Sequence, residues 1–279
     1  MRRAKLFVSV VLPSGWFLGY VLAKKAEAGA SGSAALILVS LGAVVTPALM
    51  TLLLFTPSER RALWKQVRFS FGALPYLVAV GSPLLTHVAG SLPAILMVPE
   101  IVQLLPDLRT LILALQMLPM MVLWGAFEEI GWRGFLVPEL ARVMSGAKAS
   151  LVVGFVWGLW HVPQVFFSSL PYEGAFRDTP FVGAALWIGA TVAFGGVLGW
   201  LQLRTGSFVL PTLAHALINV VGSAFAEGRH DASSPVWAGP GGLAAILATT
   251  LLVWSLFALA PLRCRDRAQT RSAPSGQRT

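Results

Sequence analysis

The stretch 205–226, TGSFVLPTLAHALINVVGSAFA, contains no acid, lysine or arginine, and only His215 and Asn219 interrupt its apolar core. An apolar run of about 18 residues or more is long enough to cross the hydrocarbon layer as a helix. Uncharged runs over 31–58 and 69–99 repeat the pattern. The whole chain agrees with them: 279 residues, 56% hydrophobic, 12% charged, mean hydropathy +0.73. Soluble domains carry about 25% charged residues. A soluble enzyme and a disordered chain are therefore excluded. Nucleic acid is not the expected partner of the +9 net charge, because in a membrane chain the placement of charge has to be read first.

Eight apolar stretches follow one another, at 6–23, 34–55, 71–90, 110–127, 150–167, 181–203, 207–226 and 242–262. With the N-terminus inside, sixteen of the 21 bases fall on the cytoplasmic side. These are Arg2, Arg3, Lys5, Arg60, Arg61, Lys65, Arg68, Arg133, Arg142, Lys148, Arg204, Arg263, Arg265, Arg267, Arg271 and Arg278. Lys24, Lys25, Arg109, Arg177 and Arg229 fall outside. Such a bias predicts both termini in the cytoplasm and an even number of spans. The expected fold is thus an all-α, polytopic membrane helix bundle of about eight transmembrane helices. The first stretch is read as a retained helix, since it is longer than the apolar part of a signal peptide.

Between the spans, 58–68 reads as a short basic amphipathic helix at the membrane surface. The Pro-rich stretch 91–108 reads as an external interfacial or re-entrant segment, and the tail after Leu262 as disordered. Cys264 is the only cysteine, so the chain forms no internal disulfide and has no Cys-based metal site. Gly154xxxGly158 and Gly195xxxGly199 suggest close helix packing. The division expected is 1–110 as an N-terminal transmembrane region, 111–226 as a catalytic core, 227–262 as a last helix and 263–279 as a basic tail.

Ionisable groups at membrane depth are costly and mark functional sites. Few exist here. Glu128 and Glu129 close the fourth stretch, on a helix expected to run on past it. His161 lies in the fifth, His215 and Asn219 in the seventh, and His87 near the outer end of the third. Glu129 and Arg133 are i,i+4 and share a face, so they pair, while Glu128 is turned about 100° away and keeps a free carboxylate. Pro163 is expected to free the carbonyl of Leu159 and bend the helix that carries His161. A carboxylate, two imidazoles and a carboxamide can serve hydrolysis in two ways. Glu128, His161 and His215 can bind zinc with an open water position. Alternatively, Glu128 with His161 activates water while His215 and Asn219 donate to an oxyanion, and no metal takes part. Burial cost alone accounts equally well for a proton-coupled transporter or a partner-binding membrane protein.

These residues resemble a known family, the CPBP intramembrane proteases, which include CAAX prenyl endopeptidases and relatives linked to bacteriocin immunity. The family pattern is Glu-Glu-x-x-x-Arg, Phe-x-x-x-His and His-x-x-x-Asn on successive membrane segments. Glu128-Glu129-Ile-Gly-Trp-Arg133 and His215-Ala-Leu-Ile-Asn219 match it. At His161 the second motif matches too, with Trp157 where the family usually has Phe. The resemblance covers 111–222. It implies a membrane endopeptidase with Glu128, His161, His215 and Asn219 as catalytic residues and Glu129, Arg133 and Trp157 as support. It also implies a membrane-anchored or prenylated protein substrate and a site open to the cytoplasm, with the plasma membrane as the expected location. Family members have been described both as metalloproteases and as metal-free, glutamate-dependent enzymes. A non-proteolytic transporter or immunity protein stays the alternative.

Overall fold

Helices occupy all eight apolar stretches in the computed structural model, which describes residues 1–27, 34–97, 108–167, 179–226, 236 and 241–259. They are α1 (Arg2–Glu27), α2 (Ala34–Leu54), α4 (Ala73–Met97), the pair α5 (Leu108–Gln116) and α6 (Leu118–Gly131), α8 (Gly146–Phe167), α9 (Pro180–Thr205), α10 (Val209–Ala226) and α11 (Leu243–Leu259). Two short helices, α3 (Pro57–Trp64) and α7 (Val137–Ala141), lie between them. No strand occurs among the described residues. The fold is an all-helical bundle of apolar helices. Among the described residues three helices are long and apolar enough to cross a membrane alone, within α1, α4 and α9. A fourth span is added if α5 and the run Leu118–Ala141 count as one.

That fourth stretch departs from the expected single span. It breaks at Met117, and α5 bends by 48° from the run that follows. Pro119, close behind the break, favours a fresh helix start over a continuous one. The stretch 91–108 also differs from expectation, because 91–97 simply prolongs α4 despite Pro83 and Pro93 within that helix. The rest of the interfacial reading, at 98–107, and the tail with Cys264 lie outside the described residues.

Helix α3 is shorter than the expected 58–68. A capping box starts it: the Glu59 amide donates to the Thr56 hydroxyl and the Thr56 amide donates to Glu59 Oε2 at 2.8 Å, with Pro57 in the first turn. Leu63 is its buried anchor, while Trp64 next to it is 60% exposed.

The α8–α9 contact is the most extensive in the bundle, and both glycine pairs lie in it. A Cβ on Gly195 would lie 2.7 Å from the Gly154 Cα, and one on Gly158 would strike Thr191. The small-residue reading of these motifs therefore holds: they bring two backbones together. Around this pair, α1 packs on α8 and α2, α2 on α6, α10 on α6 and α4, and α11 on α9 and α4.

One end of the bundle collects charge. Arg3 donates to Glu59 at 2.7 Å, the N-terminal amine lies 3.7 Å from Glu139, and Arg142 pairs with Glu139 at 3.1 Å. Gln202 reaches Gln66 at 2.9 Å, and the Ser207 hydroxyl donates to the Arg68 carbonyl. The N-terminus, α3, α7 and the α9–α10 turn thus meet, as their assignment to one side of the membrane requires.

Candidate functional site

The helix carrying the two glutamates does not end at them. It continues through a π-helical turn, Trp132–Leu136, into α7. In this turn the Val137 amide bonds to the Trp132 carbonyl, one residue further back than in an α-helix. All five of its residues are buried. Gly131 just ahead of it lets α6 close onto α2, since a Cβ there would lie 2.8 Å from the Pro47 carbonyl carbon. Glu128 and Glu129 therefore sit inside a buried helical run, not at an exposed end.

Glu129 and Arg133 form the expected pair, with Arg133 Nη1 donating to Glu129 Oε1 at 2.7 Å. Both side chains have zero exposure, which excludes an ordinary surface ion pair. Glu129 has a second partner that spacing did not reveal. Its Oε1 also accepts from His215 Nδ1, at 2.9 Å. Glu129 thus ties α6 to α10 as well as bracing its own helix.

Glu128 points elsewhere, as the 100° rotation requires. Its Oε2 accepts from the indole Nε1 of Trp157, on α8, at 2.8 Å. One turn along α8, His161 Nδ1 lies 2.8 Å from the Trp157 carbonyl. A carbonyl only accepts, so Nδ1 carries the hydrogen, and in a neutral ring Nε2 is left with its lone pair. Trp157 also meets both imidazoles edge-on, with centroids 5.3 Å from His161 and 5.1 Å from His215, and Arg133 lies 4.6 Å from its ring centre.

Trp160 holds the other side of His161, at 4.8 Å. The helix runs through Pro163, and the carbonyl of Leu159 has a donor from another helix: Trp16 Nε1 on α1, at 2.8 Å. The expected consequence of Pro163 is thus met by a side chain 143 positions away. Close docking of α1 makes this possible. A Cβ on Gly15 would run into Trp160, and one on Gly19 would lie 3.0 Å from Pro163.

Asn219 lies one turn beyond His215 on α10. It is exposed and makes no side-chain hydrogen bond among the described residues. His87 is buried on α4, with Nδ1 2.9 Å from the Pro83 carbonyl and its ring against Gly222 of α10. The structure thus brings together Glu128, Glu129, Arg133, Trp157, His161 and His215, with Asn219 at the edge.

Glu128, His161 and His215 are of zinc-binding type, and the bonds at Glu128 Oε2 and the two Nδ1 atoms leave Oε1 and both Nε2 atoms. But among the described residues no three His, Cys, Asp or Glu side chains are grouped as one ion would need. No step is routed through an ion here.

Six buried groups on three helices, two of them carboxylates and two imidazoles, form one polar cluster inside the apolar bundle. Residues 110–221 match the model of the family described as type II CAAX prenyl endopeptidase Rce1-like. The chain is 30% identical over 102 residues to the CAAX prenyl protease 2 of Methanococcus maripaludis, covering 36% of this chain and 37% of that protein. It is 27% identical over 114 residues to the human CAAX prenyl protease 2, covering 40% of this chain and 34% of that protein. The chain therefore spans little more than a third of each relative, and the family-matched segment 110–221 contains every residue of the cluster.

Proposed function

We propose that the protein is a membrane endopeptidase that cleaves a peptide bond of a membrane-anchored, prenylated protein, with water activated at Glu128. The observation that carries this reading is the buried meeting of Glu128 with Trp157, His161 and the Glu129–His215–Arg133 network inside the family-matched segment. Glu128, with His161 Nε2 beside it, takes a proton from water. The resulting hydroxide attacks the scissile carbonyl carbon, and the π electrons move onto the carbonyl oxygen. His215 and Asn219 stabilise that oxyanion. His215 can donate from Nε2 while Nδ1 faces Glu129 only as the doubly protonated ring. In that form Glu128, Glu129, Arg133 and His215 sum to zero charge. The intermediate collapses, the C–N bond breaks, and the amine leaves with the proton first removed from water. The products are a carboxylate and an amine.

The protein is read as spanning the plasma membrane eight times. Its basic end faces the cytoplasm, and the site opens toward that side, where prenylated tails are found. The test is cleavage of a farnesylated CAAX peptide by purified protein, in detergent, beside Glu128→Gln. Wild type is expected to cleave and the variant to lose about 100-fold or more, the scale of general-base catalysis. Equal rates would remove Glu128 from the chemistry. No cleavage by either, with the peptide bound or moved across a vesicle membrane, would favour a transporter or binding protein.

A further inference from the structure

Trp157 touches four members of the cluster: Glu128 by a hydrogen bond, Arg133 by its ring face, and His161 and His215 by edge contacts. Phenylalanine supplies the same apolar ring surface but has no N–H. The indole adds a donor, and that donor is aimed at the carboxylate assigned the base role.

The consequence follows from the two oxygens of a carboxylate. A glutamate on a helix has several rotamers and can present either oxygen. A bond at 2.8 Å to Oε2 selects one rotamer and leaves Oε1 as the oxygen without that partner. The donor is itself held, because Trp157 is 5% exposed and wedged between the Arg133 guanidinium and two imidazoles. A donor already fixed in place needs no reorganisation when the reaction begins.

We propose that Trp157 is a positioning residue: its indole N–H holds the Glu128 carboxylate through Oε2, so that Oε1 is the oxygen presented to water. The role in turnover rests on Glu128 being the base of the proposed protease. The hydrogen bond itself does not.

Two replacements at position 157 test this in the full-length protein. Trp157→Phe removes the N–H and part of the ring. Site-specific incorporation of 3-benzothienylalanine puts sulfur in place of the N–H and keeps the indole's shape, so folding is preserved if Trp157→Phe unfolds. The first readout is infrared difference spectroscopy of the Glu128 carboxylate stretch, identified by its loss in Glu128→Gln. The band should shift with either replacement. The second is kcat and KM on the farnesylated peptide. Loss of one charge-assisted hydrogen bond should lower kcat about 10-fold with little change in KM. A side chain that only packs against the site would leave both unchanged. An unshifted band overturns the proposal, and so does a shifted band with unchanged kcat. A shifted band in a protein whose wild type cleaves nothing upholds the hold on Glu128 and overturns the protease reading instead.

Discussion

Arg133–Glu129 and Arg3–Glu59 are two arginine–glutamate pairs with the same 2.7 Å contact. The first has zero exposure at both side chains; in the second, Arg3 and Glu59 are 32% and 36% exposed. Their lengths are equal, but their physics is not. Both charges of the buried pair have lost their water, so each is a liability without the other. The more exposed pair keeps part of its hydration, and its net attraction is small. The buried pair is thus better read as a condition for placing charge at the site than as a source of stability. The exposed pair fastens α3 to α1.

The largest break in this comparison is Arg133→Ala. It leaves Glu129 buried without its main cation, and should cost about 3–5 kcal/mol of unfolding free energy, measured by steric trapping or thermal unfolding in detergent. A cost below about 1 kcal/mol would mean that the site admits water freely. Glu129→Gln comes next. An amide replaces the carboxylate between Arg133 and His215, and the loss should be about 1–3 kcal/mol. Its activity should fall further than its stability suggests, because His215 loses its anionic partner. The smallest change is Arg3→Ala, expected at about 0.2–1 kcal/mol and reduced further by high salt, which screens exposed pairs and barely reaches buried ones.

Acid sharpens the exposed half of the comparison. Burial alone would raise the Glu59 carboxyl. Hydrogen bonds from Arg3 and Thr56, with the Arg3 charge, outweigh it and hold the group below its ordinary value. A carboxyl lowered on folding stabilises the fold above its unfolded value, and the contribution disappears as pH falls through the folded one. The stability difference between wild type and Glu59→Gln should therefore be full at neutral pH and close on acidification below about pH 4. A gap that stays open in acid would show that Glu59 acts by packing.

The two pairs were not equally legible in the sequence. Glu129–Arg133 follows from i,i+4 spacing, because helical geometry alone makes those residues neighbours. Arg3–Glu59 joins two helices 56 positions apart, and no local rule connects them. The same division runs through the rest. Apolar length located the helices, small-residue spacing located the α8–α9 contact, and Pro163 foretold the carbonyl that needed a donor. The donor, Trp16, could not be named, since its partner depends on how α1 docks. In the sequence Trp157 is legible only as a support residue, by resemblance. Its N–H became visible only once the rotation of α8 against α6 was known. The π turn has no composition of its own, and the break at Met117 is marked only by Pro119 behind it.

The contacts of α1 and α2 bear on where a functional unit can be cut. The family match begins at residue 110, yet the Leu159 carbonyl, one turn before Pro163, is held by Trp16, and Gly131 is seated on Pro47. The family-matched segment therefore leans on contacts from outside it. A chain shortened to 110–221 would keep every motif and lose the outer helices that hold two of them in place. Grafting or minimising this site means carrying its N-terminal scaffold along.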